Sequence, residues 1–391
     1  MSRTSGSSST LWIYLPYVDE SATGMGRFAS EMIVALRRSG LEFTLLLGEV
    51  QGSPAWLRDI PHRLVFRPEA VRRLPRFAIA IGRLVWLQFR FAHVAGRSAT
   101  LLALAGELAP FPSFRQVGVA HDLTDLRAFA GRASLGVRVR NALWAAGLRR
   151  SLATIAISRA TRRDVIDTLG LPPDRVHVVY EGFDPATFAP APNAAAAAGT
   201  RFLLYAGTLD PHKNLAFALK VFACLRAEGR PLQFRLVGRQ PADRVAALLA
   251  AIPPDIRRDV RFEGFVSDAQ LADLMRGCAA FIFPSRNEGF GLAPVEAMAC
   301  GAAVIAAAAG SLPEVVGEGG VLLDPDDVDG WTRHVGRVLD EPDYARELRA
   351  RALARASLFS WDRAATGYRA ILADPTTPAS PVPPAAPSSC A

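Results

Sequence analysis

Lysine is almost missing from this chain. Of 45 basic residues only Lys213 and Lys220 are lysines, and arginine supplies the rest. Where arginine is the default cation, a lysine in a glycine-bearing turn suggests that a compact point charge matters there. Cysteine is scarce as well. Cys224, Cys278, Cys300 and Cys390 form no CxxC pair and have no histidine nearby. That argues against a zinc site or a disulfide framework and fits a reducing compartment. No apolar run is long enough to cross a bilayer, which takes about 20 nearly uncharged residues. The best stretch, 77–95, is broken by Arg83 and Arg90, and 293–310 by Glu296 and Gly301. The opening MSRTSGSSST is polar where a signal peptide needs an apolar core. These absences predict a cytoplasmic protein, soluble or seated peripherally on the inner face of the cell membrane.

A length of 391 residues fits two domains, and charge divides between them unevenly. Residues 1–190 hold 24 arginines against 15 acids, whereas the remainder holds 21 basic residues against 22 acids. The excess positive charge lies wholly in the first half, so an anionic partner is expected there. Nucleic acid is disfavoured because no binding motif is present. An anionic membrane surface fits better. Segment 72–97 sets Arg72, Arg73, Arg76, Arg83, Arg90 and Arg97 among Phe77, Ile79, Ile81, Leu84, Trp86, Phe89 and Phe91. Such a pattern describes either an interfacial helix or a helix with an apolar core face and a solvated arginine face.

Strand-like runs alternate with helical periodicity throughout, as parallel βαβ units require. In the first half the runs are 11–18, 43–47, 101–104, 117–121, 154–157 and 176–180, with a helix over 25–38 that Gly40 ends. In the second they are 202–206, 233–237, 260–262, 280–283 and 303–306. Helices are expected at 215–227, 241–251, 268–276 and 294–300, with two or three more before Leu372. The expected organisation is an α/β N-terminal domain over 1–188 and an Ala/Pro-rich linker over 189–200. An α/β C-terminal domain follows over 201–373, its last helix free to return to the N-domain, then a disordered Pro-rich tail over 374–391.

The strongest motif, Pro284 to Met298, directly follows a buried strand. Gly289 and Gly291 let the backbone approach a ligand, and Pro294 suits a first helical turn. Free amides at a helix start form an anion site, so Gly291, Leu292 and their neighbours, Phe290 among them, can cradle a phosphate. Glu296 stands one turn inside that helix, where a carboxylate can take hydrogen bonds from ribose hydroxyls. Glu288 stands in the loop before the turn. A second motif, Gly207-Thr208-Leu-Asp-Pro-His212-Lys213-Asn214, also joins a strand end to a helix. Lys213 there can hold a compact positive charge against a phosphate. In the first half, Gly24 and Gly26 form a glycine turn, and His121 ends a strand before Asp122. Asp324-Pro-Asp326 has the spacing of a metal motif but reads as a turn and helix cap, and Glu314 follows the last expected strand.

Glu288 and Glu296 form the E-x7-E pattern, and the surrounding text resembles retaining glycosyltransferases of family 4, which include many bacterial mannosyltransferases. The likeness is carried by YAGTLDPHKN, RLVG, the run from VRFEGFVSD to EAMACG, and SLPEVVGEGGVLLDP. Weaker echoes are TGMGRFASEM, VAHDL, IAISRATRRDV and VYEGFDPATF. The resemblance implies the GT-B fold, two Rossmann-like domains facing each other across a cleft, with no metal and no cofactor. It implies a nucleoside-diphosphate sugar, GDP-mannose first, bound through Gly24, Gly26, Gly207, Thr208, Lys213, Gly289, Phe290, Gly291, Leu292 and Glu296. His121, Glu288 and Lys213 would be catalytic, and the hexose would pass with retention to a lipid-linked or polysaccharide-precursor acceptor. Many members carry an arginine where this chain has Thr208, so His212, Arg239 or Arg286 would supply the second positive charge. Two other classes are weighed. A nicotinamide-dependent oxidoreductase would need a third glycine after Gly24 and Gly26, where Ala29 stands. A non-catalytic scaffold would have no need of Glu288, Glu296 and Lys213 together.

Overall fold

The computed structural model describes residues 10–18, 24–50, 54–65, 76–123, 135–191, 201–250 and 252–376. Most of the expected linker and tail, and the start of the glycine turn, lie outside them. The chain forms two units. Unit 1 takes the chain up to Tyr180 together with the stretch from Trp361, and unit 2 takes Glu181–Ser360. The division thus falls earlier than the expected 188. Residues 181–188 join unit 2 because Arg276 donates to the carbonyl oxygens of Thr187 and Ala189, each at 2.7 Å, and Phe188 is buried.

Unit 1 runs β1 (Leu11–Leu15), α1 (Gly24–Arg38), β2 (Thr44–Leu47), β3 (His62–Leu64), α2 (Arg76–Phe89), α3 (Phe91–Ala95) and β4 (Thr100–Ala103). It continues through β5 (Arg115–Ala120), α4 (Leu135–Arg150), β6 (Ala153–Ala156), α5 (Arg159–Leu169) and β7 (Val176–Val178). Its sheet is parallel with order β3-β2-β1-β4-β5-β6-β7. The central strands are buried along nearly their whole length, because helices cover both faces of a doubly wound sheet. β3 was not expected: its three residues are mostly exposed, and only pairing with β2 defines it.

Unit 2 runs β8 (Phe202–Ala206), α6 (Leu215–Ala227), β9 (Gln233–Val237), α7 (Ala242–Ala250), β10 (Val260–Gly264), α8 (Asp268–Gly277) and β11 (Ala280–Phe283). Then come α9 (Leu292–Ala299), β12 (Val304–Ala307), α10 (Leu312–Val315), β13 (Gly320–Leu323), α11 (Val328–Asp340) and α12 (Pro342–Ala356). A parallel sheet of order β10-β9-β8-β11-β12-β13 results. Ser267 starts α8 with a capping box that Gln270 completes. The last helix, α13 (Trp361–Ala373), lies on α1 of unit 1, with the Trp361 indole edge-on to Phe28 at 5.9 Å between centroids.

Both sheets reverse their strand order once, between β1 and β4 and between β8 and β11. Open α/β sheets bind ligands beyond the strand C-termini at that reversal.

Candidate active site

Three loops of unit 2 converge at its reversal. The loop after β8 begins at Gly207, whose amide donates to the Val237 carbonyl at 2.9 Å. A β-carbon on Gly207 would lie 2.6 Å from the Tyr205 hydroxyl, and one on Gly238 would lie 2.1 Å from the Gly207 oxygen. Glycine is therefore required at both. Tyr205 donates to the Thr208 carbonyl at 2.7 Å. Burial, then the neighbouring Glu288 charge, holds its phenol well above the usual range. The loop ends in a 3-10 turn, Pro211–Lys213, and Asn214 leads into α6 with φ 57°, the only non-glycine of positive φ among the described residues. Its side chain donates to the Pro325 carbonyl at 3.0 Å. That long-range bond helps hold a conformation otherwise disfavoured.

The loop after β11 is tied to this turn. The Arg286 amide donates to the His212 carbonyl at 2.8 Å, and the buried Ser285 hydroxyl reaches the Asn287 carbonyl at 3.2 Å. Lys213 Nζ then meets Glu288 Oε1 at 2.7 Å, with side chains only 15% and 12% exposed. The ammonium also lies 5.7 Å from the centre of the Phe283 ring. The third loop, after β12, closes from the other side: the Ser311 hydroxyl donates to the Phe290 carbonyl at 2.7 Å.

Gly291 caps α9 at φ 103° with no side-chain hydrogen bond, so the first-turn amides of Leu292 and Ala293 are those the helix itself leaves unused. The helix starts two residues before the expected Pro294. Proline still fits its first turn, where an amide hydrogen is not needed. Phe290 turns inward: it is 2% exposed, edge-on to Phe359 at 5.6 Å, so only its backbone faces the loop. Glu296 is 1% exposed within α9, far more enclosed than Glu288.

The remaining candidates distribute as follows. Thr208 is exposed and donates to Asp210 Oδ2 at 2.7 Å; that bond, with the nearby Arg244, holds the Asp210 carboxyl below its ordinary value. Arg286 is bound to Asp326, so its guanidinium is already engaged, while Arg239 is exposed in the loop after β9. Asp324 accepts from the Asp326 amide at 2.8 Å, and Asp327, one residue beyond the DxD pair, caps α11 through Gly330. The Glu314 carbonyl accepts from Arg355. In unit 1, Gly24 and Gly26 form the first turn of α1 rather than a preceding turn, and neither has positive φ. His121 Nε2 contacts the Leu104 carbonyl at 2.8 Å, so that nitrogen carries the proton, and Phe28 stands edge-on to the ring at 4.5 Å.

The segment read as an interfacial or arginine-faced helix breaks into α2 and α3 at Arg90, and Arg72 and Arg73 lie outside the described residues. Its exposed side carries Ile81, Val85 and Phe89. Arg83 turns away from solvent to Glu107, because a carboxylate in the loop after β4 is a better partner than water. The sequence reading missed Glu107, Ser285 and Asn214. Only Asn214 left a signal, standing where a helix had to start.

Two family models match, covering the two halves in turn. Glycosyltransferase Family 4 matches residues 22–187, and Glycosyl transferases group 1 matches residues 192–355. The chain has the GT-B fold and is related to the glycosyltransferases of these two families. Among its relatives, O-antigen chain mannosyltransferase B of Escherichia coli is 31% identical over 220 residues, 54% of this chain and 58% of that one. A D-inositol 3-phosphate glycosyltransferase of Thermobispora bispora is 36% identical over 219 residues, 52% of this chain and 51% of that one. The chain thus matches a little over half the length of either. WaaG, a glycosyltransferase involved in lipopolysaccharide biosynthesis, shares the fold at a TM-score of 0.75 and 15% identity, covering 93% of this chain and 99% of that one.

Proposed function

We propose that this transferase moves a hexose, mannose from GDP-mannose first, from a nucleoside-diphosphate sugar to a lipid-linked or polysaccharide-precursor acceptor. The Lys213–Glu288 pair at the reversal of β8 and β11, beside the N-terminus of α9, carries the reading. The diphosphate lies on Lys213 and the amides of Leu292 and Ala293, near Gly207, Thr208, Gly289 and Gly291. Glu288 meets the sugar, and Glu296 takes hydrogen bonds from ribose hydroxyls, which make burial of a carboxylate tolerable. Gly24, Gly26 and His121 serve from unit 1.

In the transfer, the bond from the anomeric carbon to the phosphate oxygen breaks as the acceptor oxygen bonds to the same face. The departing phosphate takes the acceptor proton, and Lys213 stabilises the charge it gains. The first relative named here is a mannosyltransferase, which favours mannose as the first donor to try. The exposed stripe Ile81, Val85 and Phe89, with Arg90 and Arg97 also exposed, favours contact with an anionic membrane that would hold a lipid-linked acceptor. Among the described residues, no helix is long and apolar enough to cross one.

A thermal-shift screen tests the donor site with GDP, UDP, dTDP, ADP and their sugar conjugates, with and without Mg²⁺. A native-state ligand raises the melting temperature by mass action. A rise with GDP and GDP-mannose that disappears in Glu296→Ala supports the reading. A folded protein that responds to no nucleotide sinks it.

A further inference from the structure

Lys213 does not match a diphosphate in charge. Its ammonium already faces Glu288 at 2.7 Å, so the pair brings no net charge to the site. The N-terminus of α9 supplies about half a positive charge. A diphosphate brings more than one negative charge, so the loops around it need a further cation. Three arginines stand where the loops after β8, β9 and β11 gather: Arg239, Arg244 and Arg286. Two are already engaged. Arg286 donates through both terminal nitrogens to Asp326. Arg244, at the start of α7, donates to the Leu209 carbonyl and to Asp210 Oδ1 at 2.9 and 2.8 Å. Arg239 is exposed and makes no hydrogen bond or ion pair among the described residues.

The backbone on either side of Arg239 is nevertheless fixed. The Gly238 amide donates to the Gly264 carbonyl at 2.8 Å, and the Gly264 amide donates to Gln240 Oε1 at 3.1 Å. Gln240 in turn donates from Nε2 to the Leu236 carbonyl at 2.7 Å. Arg239 thus sits between two anchored neighbours. Its loop also presses on the loop after β8, because the close approach of Gly238 to the Gly207 oxygen brings the two backbones into contact. The first side chains beyond that contact are Thr208 on one loop and Arg239 on the other. Thr208 is uncharged and turned to Asp210 at 2.7 Å. The cation at this end of β9, beside the reversal strand β8, is therefore Arg239. An exposed arginine without a partner adds little to stability. Its position, where open sheets take ligands, gives it a use.

We propose that Arg239 binds the donor diphosphate and supplies the charge that the Lys213–Glu288 pair lacks. This inference rests on the transferase reading and deepens it at the same site. Lys213 acts as a point charge whose place Glu288 sets, and Arg239 brings the net positive charge from the neighbouring loop. A guanidinium also offers parallel N–H donors to two phosphate oxygens, which an ammonium does not.

Isothermal titration calorimetry on the full chain, with GDP, UDP and inorganic pyrophosphate as probes, tests the assignment. The Kd of whichever nucleotide binds the wild type should rise about tenfold or more in Arg239→Gln, the loss of a hydrogen bond between charged groups. Pyrophosphate should weaken alike, because it carries the phosphates without base or ribose. Arg239→Lys should keep more of the affinity than Arg239→Gln. Arg286→Gln removes a cation already paired with Asp326 and should stay within about twofold. Melting temperature should barely change in these variants, since both arginines are exposed. Wild-type nucleotide affinity in a folded Arg239→Gln overturns the proposal. So does a loss with nucleotide that pyrophosphate does not share, which would move Arg239 to the base or ribose. An Arg239→Lys no better than Arg239→Gln, or a larger loss in Arg286→Gln, overturns it too. Each of these outcomes leaves the transferase reading standing. A wild type that binds no nucleotide overturns that reading instead.

Discussion

Gly310 lies directly against the backbone of Glu288: a β-carbon there would sit 2.8 Å from the Glu288 nitrogen and 3.1 Å from its oxygen. Gly310 also has φ 58°, a region that side chains avoid. The loop after β12 thereby fixes the height of the loop that carries the Lys213 partner. Gly310→Ala should cost about 1–3 kcal/mol and lower transfer through displacement of Glu288. Denaturant titration and steady-state rates read the two effects. Wild-type rates in a destabilised Gly310→Ala would separate the contact from the chemistry.

Lys213→Ala should lower kcat by about 10²–10³, the usual loss when one charge-stabilising group is removed from a transition state. It also leaves Glu288 enclosed without its cation, which should cost stability by about 1–3 kcal/mol. Lys213→Arg should restore stability better than rate, because the planar guanidinium does not reproduce a point charge. Equal rescue of both would show that any cation suffices.

Cys278 and Cys300 are buried, and burial pushes both thiols up to about 12. The folded chain keeps two protons that the unfolded chain releases above about pH 8.5. Stability contributed by these groups is therefore complete below that pH and is lost as pH rises toward 12. In a Cys390→Ser background at pH 8.5, a thiol reagent should label the exposed Cys224 quickly and the other two only after denaturation. Rapid labelling of all three would contradict the burial.

Trp361 is 4% exposed against Phe28, so Trp361→Ala should cost about 3–5 kcal/mol. The Arg38–Asp362 pair joins the same two helices at 2.6 Å but is 60% and 70% exposed. Its removal should change stability by less than about 1 kcal/mol. Calorimetry on the two variants compares them directly.

Replacing Ile81 and Phe89 by serine should weaken binding to anionic vesicles about tenfold or more, from the apolar area withdrawn. Both side chains are more than half exposed, so melting should barely change. A wild type that does not sediment with such vesicles would remove the membrane from the account.

The strands were legible because helices cover both sheet faces, and continuous apolar runs such as Phe202–Ala206 announce that burial. β3 was not, since His62 and Arg63 are exposed and only the register with Leu45 and Leu46 makes them a strand. Lys213 and Glu288 were each visible in a glycine-bearing motif, but their meeting was not: 75 residues separate them, and strand order brings their loops together. The inward turn of the Phe290 ring was not legible, because a motif gives the backbone path and not the rotamer. Arg83 was misjudged for a related reason. Helical spacing shows which residues share a face, yet it cannot show that Glu107 waits beneath one of them.

The return of α13 to unit 1 sets the order in which the molecule can be finished during synthesis. Unit 2 ends at Ser360, so all of it has been made before the helix that completes unit 1. Domains fold as units as the chain emerges. Here unit 1 must wait, its Phe28 side without Trp361, until all of unit 2 and then α13 have left the ribosome. The first half to be translated is thus the second able to close, and no single cut in the gene yields it intact.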